Sequence, residues 1–299
     1  MKVYPAYYPE FHCLAGACRH NCCVGWEIGV DEESFARYRS HDGELGDRLR
    51  AALSEEGGAH FVLTEGERCP FLNKDGLCDL ILAEGPDTLC QICRDHPRFR
   101  NFFPGITEIG LGLCCEEAAR LILTKTEPMT FLTAEDGDCP VPDEEAEAFF
   151  ALRQKVFSLA QDRSRPLFDR ENAILALFGV SLPQTPLQDR AVLLYELERM
   201  DSRWTEILSQ AETAPEIPFS GDETPFEQLL CAFLFRHLAA GCDDGDFAGK
   251  AAFSVFSTRF LRDLTAALSL DLLEAARLFS AEIEYSDENL FVLYDLFSP

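Results

Sequence analysis

TPFEQLLCAFLFRHLAAGCDDGDFAGKAAFSVFSTRFLRDLTAAL, residues 224–268, reads as two consecutive helices and decides the fold class. Thr224-Pro225 is a cap followed by a proline whose fixed φ suits a first helical turn. It opens a helix over Phe226–Ala240, and Phe247–Leu268 follows as a second. Upstream, Thr185-Pro186 repeats the device and opens a long helix expected to run through about Ala211. Asp143–Asp162 has acidic residues at its start and Phe149, Phe150, Leu152, Val156, Phe157 and Leu159 as core candidates. Asp169–Gly179 reads as a shorter helix ended by glycine. Downstream come Asp271–Ile283 and a last helix to Phe297, capped by Ser286 with Glu288 in its first turn. Strand signals are nearly absent. Residues 125–299 are therefore expected to form a helical, bundle-like domain held by apolar faces.

Residues 1–124 differ in texture, being rich in Cys, Gly, Pro and Arg between short periodic stretches. Asp31 caps an expected helix with Glu33 in its first turn and Phe35, Tyr38, Leu45, Leu49 and Leu53 along one side. Gly57-Gly58 ends it. His60–Thr64 alternates briefly, as a short strand does, and Glu116–Thr124 has helical spacing. The expected class is mainly α: a cysteine-rich, loop-rich N-terminal metal-binding region with short helices, then the helical domain.

Composition narrows the function. With 47% hydrophobic residues, 24 of them Phe, the 299-residue chain has ample core material. Its net charge of −26, with most of the excess acidity beyond residue 120, excludes a nucleic-acid binder that works by neutralising phosphates. A cationic partner, such as a lysine-rich protein surface, is favoured on approach, and the same charge serves solubility. MKVYPAYYPEFHCLAG lacks the apolar stretch of a signal peptide, and no run of ~18 apolar residues occurs. The expectation is a cytoplasmic protein with reduced thiols and no membrane partner.

Ten of the 13 cysteines fall at or before residue 115, and only Cys139, Cys231 and Cys242 lie beyond. Structural cysteines behave as small core hydrophobes with no reason to cluster. In a reducing compartment such clustering points to metal ligation. The first group is C-x4-C-x3-C-C (Cys13, Cys18, Cys22, Cys23), followed by Trp26. Adjacent cysteines of an extended chain point to opposite faces, so Cys22 and Cys23 are expected to divide between roles. The second is CPFLNKDGLC, Cys69 to Cys78, whose Asp75-Gly76 suits a tight turn that folds the two thiols together. Cys90-Gln91-Ile92-Cys93 and the pair Cys114-Cys115 complete the set. Four cysteines, or three with His12, His20 or His96, suit zinc, and four cysteines suit a four-iron cluster. Spacing alone leaves both open. Arg94, Arg98 and Arg100 offer charge for thiolates or an anionic group, or simple salt bridges.

In order, FHCLAGACRHNCCVGWEIGVD, CPFLNKDGLCDL, LCQICRDHPRF and GLCCEEAARLIL resemble the flagellin lysine N-methylase family, within a wider group of cysteine-cluster zinc- or iron-chelating proteins. The similarity continues through FLFRHLAAGCDDGDFAGKAAFSVFS and EYSDENLFVLYDLF. It implies metal ligands at Cys13, Cys18, Cys22, Cys23, Cys69, Cys78, Cys93 and Cys115, with Cys90 and Cys114 extra. It also implies a 4Fe-4S cluster, with zinc as the alternative, and S-adenosylmethionine-dependent methylation of lysine side chains on flagellin or another lysine-bearing protein.

Such a reaction needs a neutral lysine, and hence a carboxylate or tyrosine to take its proton. The chain has no G-x-G-x-x-G after a strand. It also has no C-x3-C-x2-C run, the spacing associated with radical use of the cofactor. Polar methyl transfer beside a structural or electrostatic cluster is the reading that follows. The alternative is a non-catalytic iron- or zinc-binding module.

Overall fold

The computed structural model describes residues 1–134 and 143–299, so Cys139 lies outside the described residues. The chain divides into two compact units, His12–Arg98 on one hand and Met1–Phe11 with Phe99–Pro299 on the other. It opens on strand β1 (Lys2–Pro5) and then enters the cysteine unit.

That unit holds β2 (Ile28–Gly29), α1 (Glu32–Ser40), α2 (Gly43–Ala52), β3 (Leu53–Ser54), β4 (His60–Phe61), α3 (Asp79–Glu84) and α4 (Gln91–Asp95). The strands form a small antiparallel sheet in the order β2-β4-β3. Asp31 caps α1 by accepting a hydrogen bond from the Ser34 N–H at 2.9 Å. The helix expected from Asp31 to Gly57 is broken into two. Gly43 takes a φ of +75° at the junction, and Gly46 packs so closely under the His41 carbonyl that only a residue without Cβ fits. Ile28, Tyr38, Leu49, Phe61, Phe71 and Leu80 form the core, with the buried Cys69 and Cys90 among them.

The other unit completes a four-stranded sheet with β5 (Arg98–Phe103), β6 (Ile106–Leu111) and β7 (Phe131–Ala134), in the order β5-β6-β1-β7. β1 runs parallel to β6 and antiparallel to β7. Only β7 falls in the stretch beyond residue 124 expected to be nearly free of strands; β1, β5 and β6 lie before it, where His60–Thr64 was the strand expected. Helix α5 (Glu116–Leu123) lies between β6 and β7 in sequence. After them come α6 (Glu144–Ala160), α7 (Leu167–Leu177), α8 (Leu187–Tyr195), α9 (Ser202–Ala211), α10 (Thr224–His237), α11 (Gly241–Asp244), α12 (Phe247–Leu268), α13 (Leu272–Phe279) and α14 (Asp287–Phe297). A π-helical turn, Ser280–Glu284, follows α13.

The molecule is mainly helical. α10 and α12 are buried along most of their lengths and centre a core that includes Trp204, Phe233, Phe253, Phe260 and Phe279. The long helix expected from Thr185 to Ala211 is two helices. Their link is pinned by Glu282, whose carboxylate accepts the Met200 and Asp201 N–H groups, each at 2.8 Å. Buried charges in this unit are paired: Arg153 with Glu108, Arg170 with Glu227, and Arg259 with Glu171.

Candidate functional site

Two separated segments of the cysteine unit are clasped together by backbone, and a third is tied to the start of α1 by the Asp31 carboxylate, which accepts the Gln91 N–H at 2.7 Å. The Cys69 N–H donates to the Cys23 carbonyl at 2.8 Å, and Val24 and Arg68 form an antiparallel bridge. Asn21 ties the first segment to the turn after Cys69. Its Nδ2 donates to the Gly76 carbonyl at 3.2 Å, and its Oδ1 accepts the Cys23 N–H at 2.9 Å. The expected turn at Asp75-Gly76 is present. Gly76 has a φ of +72°, the Asn73 side chain accepts from the Asp75 and Leu77 N–H groups, and Leu72 bridges Cys78. Cys69 and Cys78 are thereby folded toward one another.

The thiols of Cys23, Cys69, Cys78, Cys90 and Cys93 sense one another's charge. The Cys22–Cys23 hydrogen bond, then burial, then the charges of Cys22, Cys69 and Cys78 push the Cys23 thiol up. Cys93 is pushed up in the same way by Cys90, burial, Cys23 and Cys69. Burial, helped by Cys78 and Cys90, pushes Cys69 up to about 11. In the two hydrogen-bonded pairs, Cys22 and Cys90 are the members eased toward thiolate. Cys78 and Cys90 stand at the N-caps of α3 and α4.

Among the described residues no group of three or more His, Cys, Asp or Glu side chains is arranged to hold a single metal ion. The donor set is nevertheless chemically suited to a cysteine-bound centre. The five thiols are unoxidised, two are buried and three half-buried, and deprotonation of Cys23, Cys69 and Cys93 is opposed by burial and by neighbouring thiols. A cation inverts that opposition and makes thiolates the stable form.

The other expected ligands have different settings. Cys13 and Cys22 are exposed and Cys18 is half-buried. The Cys13 sulfur accepts the Ala15 N–H at 3.4 Å. Cys115, at the N-cap of α5, and Cys114 belong to the other unit. Cys90, read as extra from the resemblance, sits with the converging thiols; its C-x2-C spacing to Cys93 was the available signal. Trp26 donates to the Cys22 carbonyl at 2.6 Å and packs on His96, which burial, assisted by Arg98, lowers to about 4 and keeps neutral.

The helical unit holds a cavity of about 1040 Å³. Phe168, Phe219 and Phe256 supply aromatic wall, and the Arg190–Asp263 pair, 2.6 Å apart, supplies both charges. Glu216 and Glu223 add carboxylates. Such a lining suits a ligand with a flat ring, a cationic centre and an amino-acid end. Sequence reading had no signal for it, since its lining comes from scattered helices and connections.

Several thiols thus gather in one unit of a mainly helical chain. Comparison with known proteins makes the relationship specific. The lysine-N-methylases of Salmonella typhimurium (strain LT2) and Salmonella choleraesuis (strain SC-B67) are each 26% identical over 207 residues, covering 64% of this chain and 45% of their own length. The flagellar biosynthetic protein FliU of Salmonella muenchen is 27% identical over 132 residues, 42% of this chain and 78% of FliU. The chain is thus similar to lysine-N-methylases and to a flagellar biosynthetic protein. It spans about half the length of the two lysine-N-methylases it matches. No protein-family model matches it, and no solved structure matches it. Among the described residues no helix is long and apolar enough to cross a membrane.

Proposed function

We propose that the protein is a cytoplasmic, S-adenosylmethionine-dependent lysine N-methyltransferase acting on flagellin, with a cysteine-ligated 4Fe-4S cluster. The reading is carried by the convergence of thiols from three segments of a chain related to lysine-N-methylases. Cys23, Cys69, Cys78, Cys90 and Cys93 form the pool from which four cluster ligands are drawn. When bound, the cluster supplies a compact charged centre that locks the clasped segments together and fixes the local electrostatics. The methyl donor supplies an electrophilic methyl group on a sulfonium. The cavity's aromatic walls would stack its ring, and Arg190 and Asp263 would take its carboxylate and ammonium. Most of the rate gain comes from holding lysine and donor in line, with the lysine neutral.

The test is to purify the protein without oxygen, assay iron, sulfide and zinc on one sample, and incubate it with labelled S-adenosylmethionine and flagellin. About four irons and four sulfides per chain with label on flagellin lysines is expected. Stoichiometric zinc and no transfer would replace this reading with a zinc-stabilised binding module.

A further inference from the structure

The segments FLFRHLAAG, GKAAFSVFS and EYSDENLFVLYDLF, distant in sequence, meet in one buried polar cluster. α10 contributes Arg236 and His237, α12 contributes Lys250, the π-helical turn contributes Glu284, and α14 contributes Tyr294. His237 lies between two titratable partners. Its Nε2 is 2.6 Å from Glu284 Oε1, and its Nδ1 is 2.6 Å from the Tyr294 hydroxyl. A carboxylate only accepts, so Nε2 carries the proton and Nδ1 accepts from Tyr294. The three groups have the arrangement of a hydroxyl activated by a base that a third group orients. The Glu284 and His237 side chains are 1% and 3% exposed, whereas Tyr294 is half-buried and is the least enclosed of the three.

The surroundings keep each member of this chain in its neutral or paired form at rest. The Lys250 ammonium stands 4.3 Å from the Tyr294 ring centre, while burial and the Glu284 carboxylate push the Tyr294 phenol up, so its proton leaves only as another arrives. Lys250 is held there by Asp244 at 2.6 Å and Asp246 at 3.5 Å. Burial works to lower His237, and the Glu284 carboxylate opposes it, so the ring is neutral yet able to accept. Glu284 also faces Arg236, whose Nε is 3.4 Å from Oε1, and Tyr285 stacks on that guanidinium at 4.5 Å. Glu284 ends a π-helical turn, a rare geometry found frequently at functional sites. The cavity is one helical turn away along α14. Ser298, which lines it, is four residues from Tyr294, and its hydroxyl donates to Asp246 at 2.7 Å.

We propose that Tyr294, His237 and Glu284 form a proton relay that deprotonates the incoming lysine, with Tyr294 as the catalytic residue that touches it. The proposal rests on the methyltransferase reading. The lysine Nζ–H bond breaks as its proton passes to the Tyr294 oxygen, and the phenol's own proton passes to Nδ1 of His237. The products are a neutral amine, whose freed lone pair the transfer consumes, and an imidazolium held by Glu284. The relay resets when the imidazolium returns its proton through Tyr294 to the methylated amine or to water. His237 and Glu284 act through Tyr294 and are positioning residues.

The test is the pH dependence of methyl transfer to flagellin at saturating S-adenosylmethionine, for the full chain and for Tyr294→Phe, with Glu284→Gln as a second variant. Tyr294→Phe keeps the ring that packs on Phe253, so its melting temperature serves as the folding control. The expected result is a loss of about 100-fold in rate at pH 7. The loss shrinks as pH rises toward 10, where lysine sheds its proton unaided. Glu284→Gln is expected to show a smaller loss with the same recovery. A Tyr294→Phe rate equal to the wild type, or a loss of the same size at every pH, overturns the relay and leaves the methyltransferase reading standing. Wild-type protein that transfers no methyl group at any pH overturns both.

Discussion

At Cys90 the environment of one residue decides more than its place in a motif. Its thiol is buried, lies 3.9 Å from the Gly29 carbonyl, and shares a hydrogen bond with Cys93. Replacing Cys90 with alanine is expected to reduce bound iron by more than half, read as iron and sulfide per chain after anaerobic purification. Unchanged iron would restrict the ligand pool to the other four thiols. Gly46 makes a similar point about backbone. Its Cα lies under the His41 carbonyl, which also accepts from Arg50 Nη1 at 2.5 Å. Gly46→Ala is expected to cost about 1–3 kcal/mol through overpacking, seen as a lower urea midpoint with an unchanged slope.

Among the elements, the sequence spoke clearly wherever local chemistry sets a boundary. The Asp31 and Ser286 caps, the turn at Asp75-Gly76 and the whole of α12 follow from side-chain-to-backbone bonds or periodicity within a few residues. Where a distant partner decides, the sequence was mute. The break between α8 and α9 depends on Glu282 and on Asn289, whose amide accepts the Glu198 N–H and donates to the Glu198 carbonyl. β5 and β6, RFRNFF and ITEIGL, do not alternate cleanly, because β6 is buried along nearly all its length. The thiol cluster was legible as a group, since cysteines that gather in sequence have few other uses. The relay was legible only in its chemistry, as a need for a carboxylate or tyrosine, because its members lie up to 57 residues apart. Glu282→Ala is expected to destabilise the chain by about 1–3 kcal/mol through the two unsatisfied N–H groups it leaves. Increased hydrogen exchange confined to residues 196–201 would locate the effect.

For the whole molecule, acid is the informative stress. Asp244 is held below the usual carboxylate range by the hydrogen bond from Lys250. Glu284 is held below it because Arg236 and His237 outweigh the burial that would raise it. Both have lower values folded than unfolded. Their contribution is therefore fully present above the ordinary carboxylate range near pH ~4 and is lost as pH falls through the folded values. Urea midpoints at neutral pH and near pH 3 are expected to fall on acidification, and less so in Lys250→Met. A chelator that strips the proposed cluster is expected to act on one unit more than the other. Limited proteolysis of the chelator-treated protein should open cuts within 12–98 while α10 and α12 survive; equal cutting in both would argue against a cluster that staples the cysteine unit.

The position of β1 in its sheet sets a schedule for biosynthesis. Its partners β6 and β7 are 100 or more residues further along the chain. On the ribosome, residues 2–5 must wait unpaired until those strands emerge. The cysteine unit, one unbroken stretch from 12 to 98, is complete before either partner is made. Nascent chains thus hold a finished cysteine unit while the sheet of the other unit is still unformed, so folding of the thiol cluster does not wait for that sheet.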